Sequence, residues 1–184
     1  MKLLKKIFSF SQEKETAHKL YIAIVAQARQ EAFYRDFGVA DTMDGRFDMI
    51  TLHTVLVMRR MKSDVDQTRK LSQALFDFMF DDFDLNLREL GIGDMGVLSR
   101  VKKMAKAFYG RLEAYDNGLL DEDDAILCSA LQRNLYSQNE ASEEILSAIA
   151  SYMRRESARL DEVNISQMMN GELTFGPTPQ VAEA

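Results

Sequence analysis

Both prolines of this chain, Pro177 and Pro179, stand in its last eight residues, so nothing ahead of them removes a backbone N–H donor or breaks a helix. The nine glycines gather at a few points and leave long uninterrupted runs between them. Within those runs apolar residues recur at helical spacing, which makes the chain all-α. Its 184 residues suffice for one domain with a real core, burying roughly two-thirds of the unfolded surface. The expected architecture is an irregular single-domain bundle of six or seven helices.

The periodicity places these helices. From Glu13 to Tyr34 the positions Ala17, Leu20, Tyr21, Ile24, Val25, Ala28 and Ala32 mark a one-sided surface helix. A connector follows from Asp36 to Arg46, with Gly38 and Gly45 at its ends. Residues 47–62 are apolar over most of the circumference, as befits the most buried helix. Ser63 opens a helix that runs to about Leu90, where Gly91 stops it. Asp94 caps the next, whose core stripe is Val97, Leu98, Val101, Met104, Ala105, Phe108 and Leu112, and Asp116-Asn117-Gly118 turns the chain. Asp121 caps another, Ser137-x-x-Glu140 has the pattern of a capping box, and a last long helix reaches towards Asn170. Residues 13–170 thus form the helical domain, residues 1–12 a basic amphipathic lead-in, and residues 171–184 a flexible tail.

Several patterns look like chemistry and fail on inspection. Gly91-Ile92-Gly93-Asp94-Met95-Gly96 spells the dinucleotide-binding motif, but a helix precedes it where a strand must deliver the chain. Glu15-x-x-His18 is half of a di-iron carboxylate site; the other histidine, His53, has Ile50 where the second glutamate is required. Asp82-x-Asp84-x-Asn86 begins like a calcium loop, yet Leu87 stands where glycine must turn the chain. No stretch unites a nucleophile, a base and an orienting group, so the reading assigns no catalytic residue, no metal and no cofactor. Two DxxxD pairs, Asp44/Asp48 and Asp77/Asp81, keep a magnesium-dependent isoprenoid diphosphate enzyme open as a minor alternative. A carrier of quinone, haem or lipid is the other, and it needs an apolar cavity of several hundred Å³.

A net charge of −6 disfavours nucleic acid as a partner, because phosphate binding needs a concentrated basic face, and the sequence suggests one only at the N-terminus. There Leu3, Leu4, Ile7 and Phe8 alternate with Lys2, Lys5 and Lys6, giving either a weak membrane-surface anchor or a terminal helix packed on the domain. The single Cys128 reads as a buried, inert thiol in a reducing cytoplasm. Wound as a helix, Leu75, Phe76, Met79, Phe80, Phe83, Leu87 and Leu90 fill one core arc of about 140°. Phe78 and Leu85 fall outside it among acids, which suits a docking surface unless a neighbouring helix covers them.

Three stretches stand apart from simple helix packing, and their residues resemble the ubiquinol-cytochrome c chaperone family. They are Tyr34, Phe37-Gly38-Val39 and Asp41-Thr42-Met43-Asp44-Gly45-Arg46-Phe47-Asp48; then Leu52-His53, Arg59-Arg60, Leu90-Gly91 and Asp94-Met95-Gly96-Val97; then Phe108-Tyr109-Gly110-Arg111 and Ala114-Tyr115-Asp116. The resemblance implies an all-helical, non-enzymatic assembly factor for cytochrome b of the bc1 complex, working with a small partner protein near the inner face of the membrane; a homodimer is an open alternative to that partner. A client with apolar segments and Lys/Arg-rich loops calls for apolar patches rimmed by acid. The expected partner-binding set is Tyr34, Gly38, Val39, Thr42, Gly45, Arg46, Phe47, Phe78, Leu85, Phe108, Tyr109, Arg111 and Tyr115. Arg46 and Arg111 have a structural reading beside it, as partners of aspartates that fix the connector.

Overall fold

The computed structural model describes residues 2–180, with side chains from residue 12 onward. Eight helices follow one another among these residues: α1 (Lys2–Ala28), α2 (Glu31–Arg35), α3 (Met43–Lys62), α4 (Val65–Glu89), α5 (Asp94–Leu120), α6 (Asp124–Asn134), α7 (Glu143–Asp161) and α8 (Ile165–Met169). Six are long, and α2 and α8 are short segments beside them. The expected all-α bundle is what forms.

The centre is α3. From Phe47 to Val57 every residue is buried, so no single stripe serves it; α1, α4, α5 and α7 all pack around it. Burying one such leucine or valine contributes roughly 1.5–3 kcal/mol, which is why the most apolar helix takes the middle. Helix α4 runs alongside α1, and α6 is held between α5 and α7.

Helix boundaries moved where a side chain met the backbone differently from the local pattern. Helix α3 starts at Met43, four residues before Phe47, because the Thr42 side chain accepts from Gly45 N at 3.1 Å and caps it. Ser63 ends α3 instead of opening α4. Gly93, not Asp94, occupies the cap position of α5. The Asp116-Asn117-Gly118 turn does not exist: α5 continues to Leu120, and Gly118 lets α6 approach, since a Cβ there would sit 2.8 Å from Leu127 Cα. Asp123 caps α6 and Ser142 caps α7, in place of Asp121 and Ser137.

The segment beyond Gly171, expected to be loose, crosses the bundle in its described part. Phe175 packs edge-on against the buried His53 ring, 5.2 Å between centroids, and Gly176 N donates to Glu156 Oε2 at 2.8 Å. Gln27 Nε2 donates both to Gly176 O and to the Tyr152 hydroxyl, which itself donates to His53 Nε2. A fully buried carboxylate and a buried imidazole require partners: Arg155, Arg159 and the strap's Gly176 N serve Glu156, while Met49 O and the Tyr152 hydroxyl serve His53, with Phe175 packed over it. Residues 181–184 lie outside the described residues.

Candidate functional site

The connector is a joint. Gly38 takes φ = 65°, a conformation open to glycine, and carries the chain from α2 to the cap of α3. Its carbonyl accepts from Asn139 Nδ2, and that of Phe37 accepts from the Tyr136 hydroxyl at 2.9 Å, which ties the joint to the loop after α6. Tyr34 donates to Ala28 O at 2.8 Å, Val39 is buried, and Arg46 pairs with Asp41 on the surface. Gly45 is required sterically: a Cβ would lie 2.0 Å from Ala40 O. Tyr34, Val39 and Gly45 are thus committed to the joint itself, while Gly38, Thr42 and Arg46 remain exposed on its outer side.

A second group meets between α3 and α5. Arg111 pairs with Asp48 at 2.7 Å and lies over the Phe47 ring at 5.4 Å, and Tyr115 is buried beside them. Burial pushes the Asp48 carboxyl up to about 7, overcoming the opposing pull of Arg111. Burial, with Asp48 near, likewise raises the Tyr115 phenol. Asp48 is therefore committed inside the fold, which removes one carboxylate of the Asp44/Asp48 pair from any magnesium site. Among the described residues no three His, Cys, Asp or Glu side chains gather as metal ligands.

From Phe47 a ladder of rings leads along α4 to the surface. Phe47 meets Phe83 at 5.2 Å, Phe83 meets Phe80 at 6.0 Å, Phe80 meets Phe76 at 4.5 Å, and Phe76 meets Tyr109 at 5.5 Å. Edge-on and tilted contacts at these separations are favourable for aromatic quadrupoles. The ladder ends in a groove of about 500 Å³ between the end of α3, the start of α4 and the second half of α5. Met58, Phe76, Phe108 and Leu112 line it, and the exposed Val65 and Tyr109 stand at its mouth.

The groove has a charged edge. Asp116 receives hydrogen bonds from Arg59 and, at 3.0 Å, from Lys62. Partial burial raises its carboxyl, but these two bonds outweigh it and leave the group below the ordinary carboxylate range. Glu113 lines the same groove. Arg59, Lys62 and Asp116 also border a second, polar cleft of about 700 Å³ with Arg60, Asp64 and Asp161. The feature is an apolar trough rimmed by both signs of charge, able to hold an apolar segment with polar flanks and devoid of an evident reaction centre.

Of the residues expected at a site, the groove brings together Phe108 and Tyr109. Phe78 is partly covered, its ring 4.9 Å from His18 and 5.4 Å from Tyr21. Leu85 is 55% exposed, well away from the groove. The membrane-surface residues Lys2, Leu3, Leu4, Lys5, Lys6, Ile7 and Phe8 fall on the first turns of α1, whose side chains lie outside the described residues. Sequence reasoning missed Val65, Arg69, Gln73 and Phe76 as groove residues. The signal available was weak: Phe76 sits on a core arc, and only the position of α5 decides that one side of it faces a trough.

Comparison with known proteins gives consistent results. A family model described as ubiquinol-cytochrome C chaperone matches residues 35–175. Ubiquinol-cytochrome-c reductase complex assembly factor 1 of Xenopus laevis is 24% identical over 165 residues, covering 89% of this chain and 82% of that one. The Mus musculus assembly factor is 25% identical over the same length, but this chain spans only 56% of it. The crystal structure of the Cbp3 homolog from Brucella abortus superposes with a TM-score of 0.84 at 35% identity, over 98% of this chain and 99% of that one.

Proposed function

The chain belongs to the ubiquinol-cytochrome c chaperone family, and on that premise we propose that it is an assembly chaperone for the ubiquinol-cytochrome c reductase complex whose client is newly made cytochrome b. It acts by binding, without catalysis. An apolar client segment lies in the groove against Phe76, Tyr109 and Leu112, while Glu113, the lining carboxylate not bonded to Arg59 and Lys62, meets the basic residues that flank membrane-spanning helices on the cytoplasmic side. The observation that carries this reading is the groove itself. It is an apolar trough with exposed aromatic and aliphatic rims, inside the span that matches the family.

The described residues include no helix long and apolar enough to cross a membrane, so contact with a membrane-embedded client rests on surfaces such as this one. The same trough falls within the size range of small-ligand sites, which keeps a hydrophobic carrier as the competing reading. Replacing Val65 and Tyr109 by serine together tests the proposal. Co-purification of cytochrome b should fall by roughly fivefold or more, with a melting temperature within a few degrees of wild type, because both side chains sit at the mouth and not in the core. Unchanged capture would exclude the groove. Normal cytochrome b spectra and bc1 activity in membranes of a strain lacking the protein would remove the chaperone assignment altogether.

A further inference from the structure

The turn joining α4 to α5 is an apolar tip with a basic collar. Four of the nine large apolar side chains left exposed among the described residues, Leu85, Leu90, Met95 and Leu98, fall within this short stretch, and Met95 is 82% exposed. The tip is firmly built: Gly91 turns at φ = 77°, Ile92 N donates to Leu87 O, and Leu87 and Val97 are buried beneath it. Arg88 bridges Asp84 and Asp94, offsetting one of their two negative charges.

Behind the tip, Arg100, Lys102, Lys103 and Lys106 are exposed and make no ion pair or hydrogen bond among the described residues. Between Arg88 and Lys106 five basic side chains stand against two acidic ones, in a chain whose net charge is −6. The basic face that the sequence suggested only at the N-terminus therefore has a counterpart on α5. Met95, Leu98, Lys102, Lys106 and Tyr109 follow at steps of three and four residues and so share one outer stripe of the helix.

We propose that this hairpin tip docks on an anionic lipid bilayer. Leu90, Met95 and Leu98 enter the boundary between headgroups and acyl chains, while Lys102, Lys103 and Lys106 meet the lipid phosphates. Unpaired lysines alone would suit any polyanion, but exposed aliphatic side chains at the protruding end gain nothing from a hydrophilic polyanion such as nucleic acid and do gain from the acyl chains of a lipid surface. The surface meets the groove only at Tyr109, and none of the side chains assigned to the bilayer lines the groove.

The test is flotation of the full chain with vesicles of mixed phosphatidylglycerol and phosphatidylcholine, and with phosphatidylcholine alone. Wild type should partition onto the anionic vesicles and not the neutral ones. A K102E/K103E/K106E variant should lose roughly tenfold or more in partition, and an M95S/L98S variant should lose roughly fivefold, both with wild-type melting curves. The N-terminal lysines remain in both variants, so wild-type binding by either would overturn the assignment of the surface. So would failure of the wild type to bind anionic vesicles, including the case in which the same lysines bind a single-stranded oligonucleotide instead.

Discussion

Phe78 stacks between His18 and Tyr21, whereas Leu85, seven residues further along the same helix, keeps more than half of its surface in solvent. Their positions on the helical wheel are nearly the same; what differs is whether α1 lies over them. Tyr21 also donates to Asp82 at 2.7 Å, which anchors α1 across the Phe78 side of α4. Phe78→Ser should therefore cost about 2 kcal/mol and Leu85→Ser less than about 0.5 kcal/mol, measured by urea denaturation. Equal and large losses would mean that Leu85 is also covered. The methionines divide in the same way: Met49 and Met168 are buried, and among the described residues Met95 is the one presented to solvent, at the hairpin tip.

At the scale of elements, glycine separates two kinds of helix position. Gly118 brings α5 against α6, and a Cβ there would meet the Leu127 backbone at 2.8 Å; Gly110, two turns earlier on α5, has nothing within 4 Å. Gly118→Ala must push two helices apart and should cost about 2 kcal/mol, whereas Gly110→Ala should stabilise by about 0.5–1 kcal/mol by removing chain entropy from the unfolded state. Paired urea midpoints check both, and a loss at Gly110 would point to a role the packing does not show. Gly110 lies in the Phe108-Tyr109-Gly110-Arg111 stretch that carries part of the family resemblance, so a stabilised variant with weakened client capture would locate its importance in binding. Periodicity identified α5 as a helix but assigned it too much core: Leu98 is exposed and Val101 and Met104 only partly buried in its first half, and Leu112 is only partly buried because it lines the groove.

Across the whole molecule, two buried titrating groups oppose each other. The folded Asp48 carboxyl titrates at about 7, above its unfolded value of roughly 3.9, so the folded state holds a proton that the unfolded state has released, and stability falls as pH rises from about 4 to 7. Burial lowers His53 to about 4, against the bond its Nδ1–H donates to Met49 O. Here the unfolded state takes the extra proton, so stability rises as pH climbs from about 4 to 6.5. Asp48→Asn replaces the protonated acid by a near-isostere and removes the falling limb. Relative to wild type it should gain on the order of 2 kcal/mol between pH 4.5 and 7.5, read from melts at the two pH values. A relative loss would mean that the Arg111 pair outweighs the cost of burial.

The all-helical class, the central place of the helix expected over residues 47–62, the failure of the nucleotide and calcium motifs and the family resemblance were all legible in the amino-acid order, though burial is complete only through Val57. Each depends on residues close together along the chain: missing prolines, three- and four-residue spacing, a helix where a strand was needed. Other features depended on which helices meet. Asp48 and Arg111 are paired across two helices, the strap after Gly171 is fixed by Glu156 and Gln27, and the groove exists because α5 stands off from the start of α4. Local periodicity says which side of a helix is apolar. Only tertiary packing decides whether a neighbour covers that side, and so the groove and the exposed hairpin tip could be found only in three dimensions.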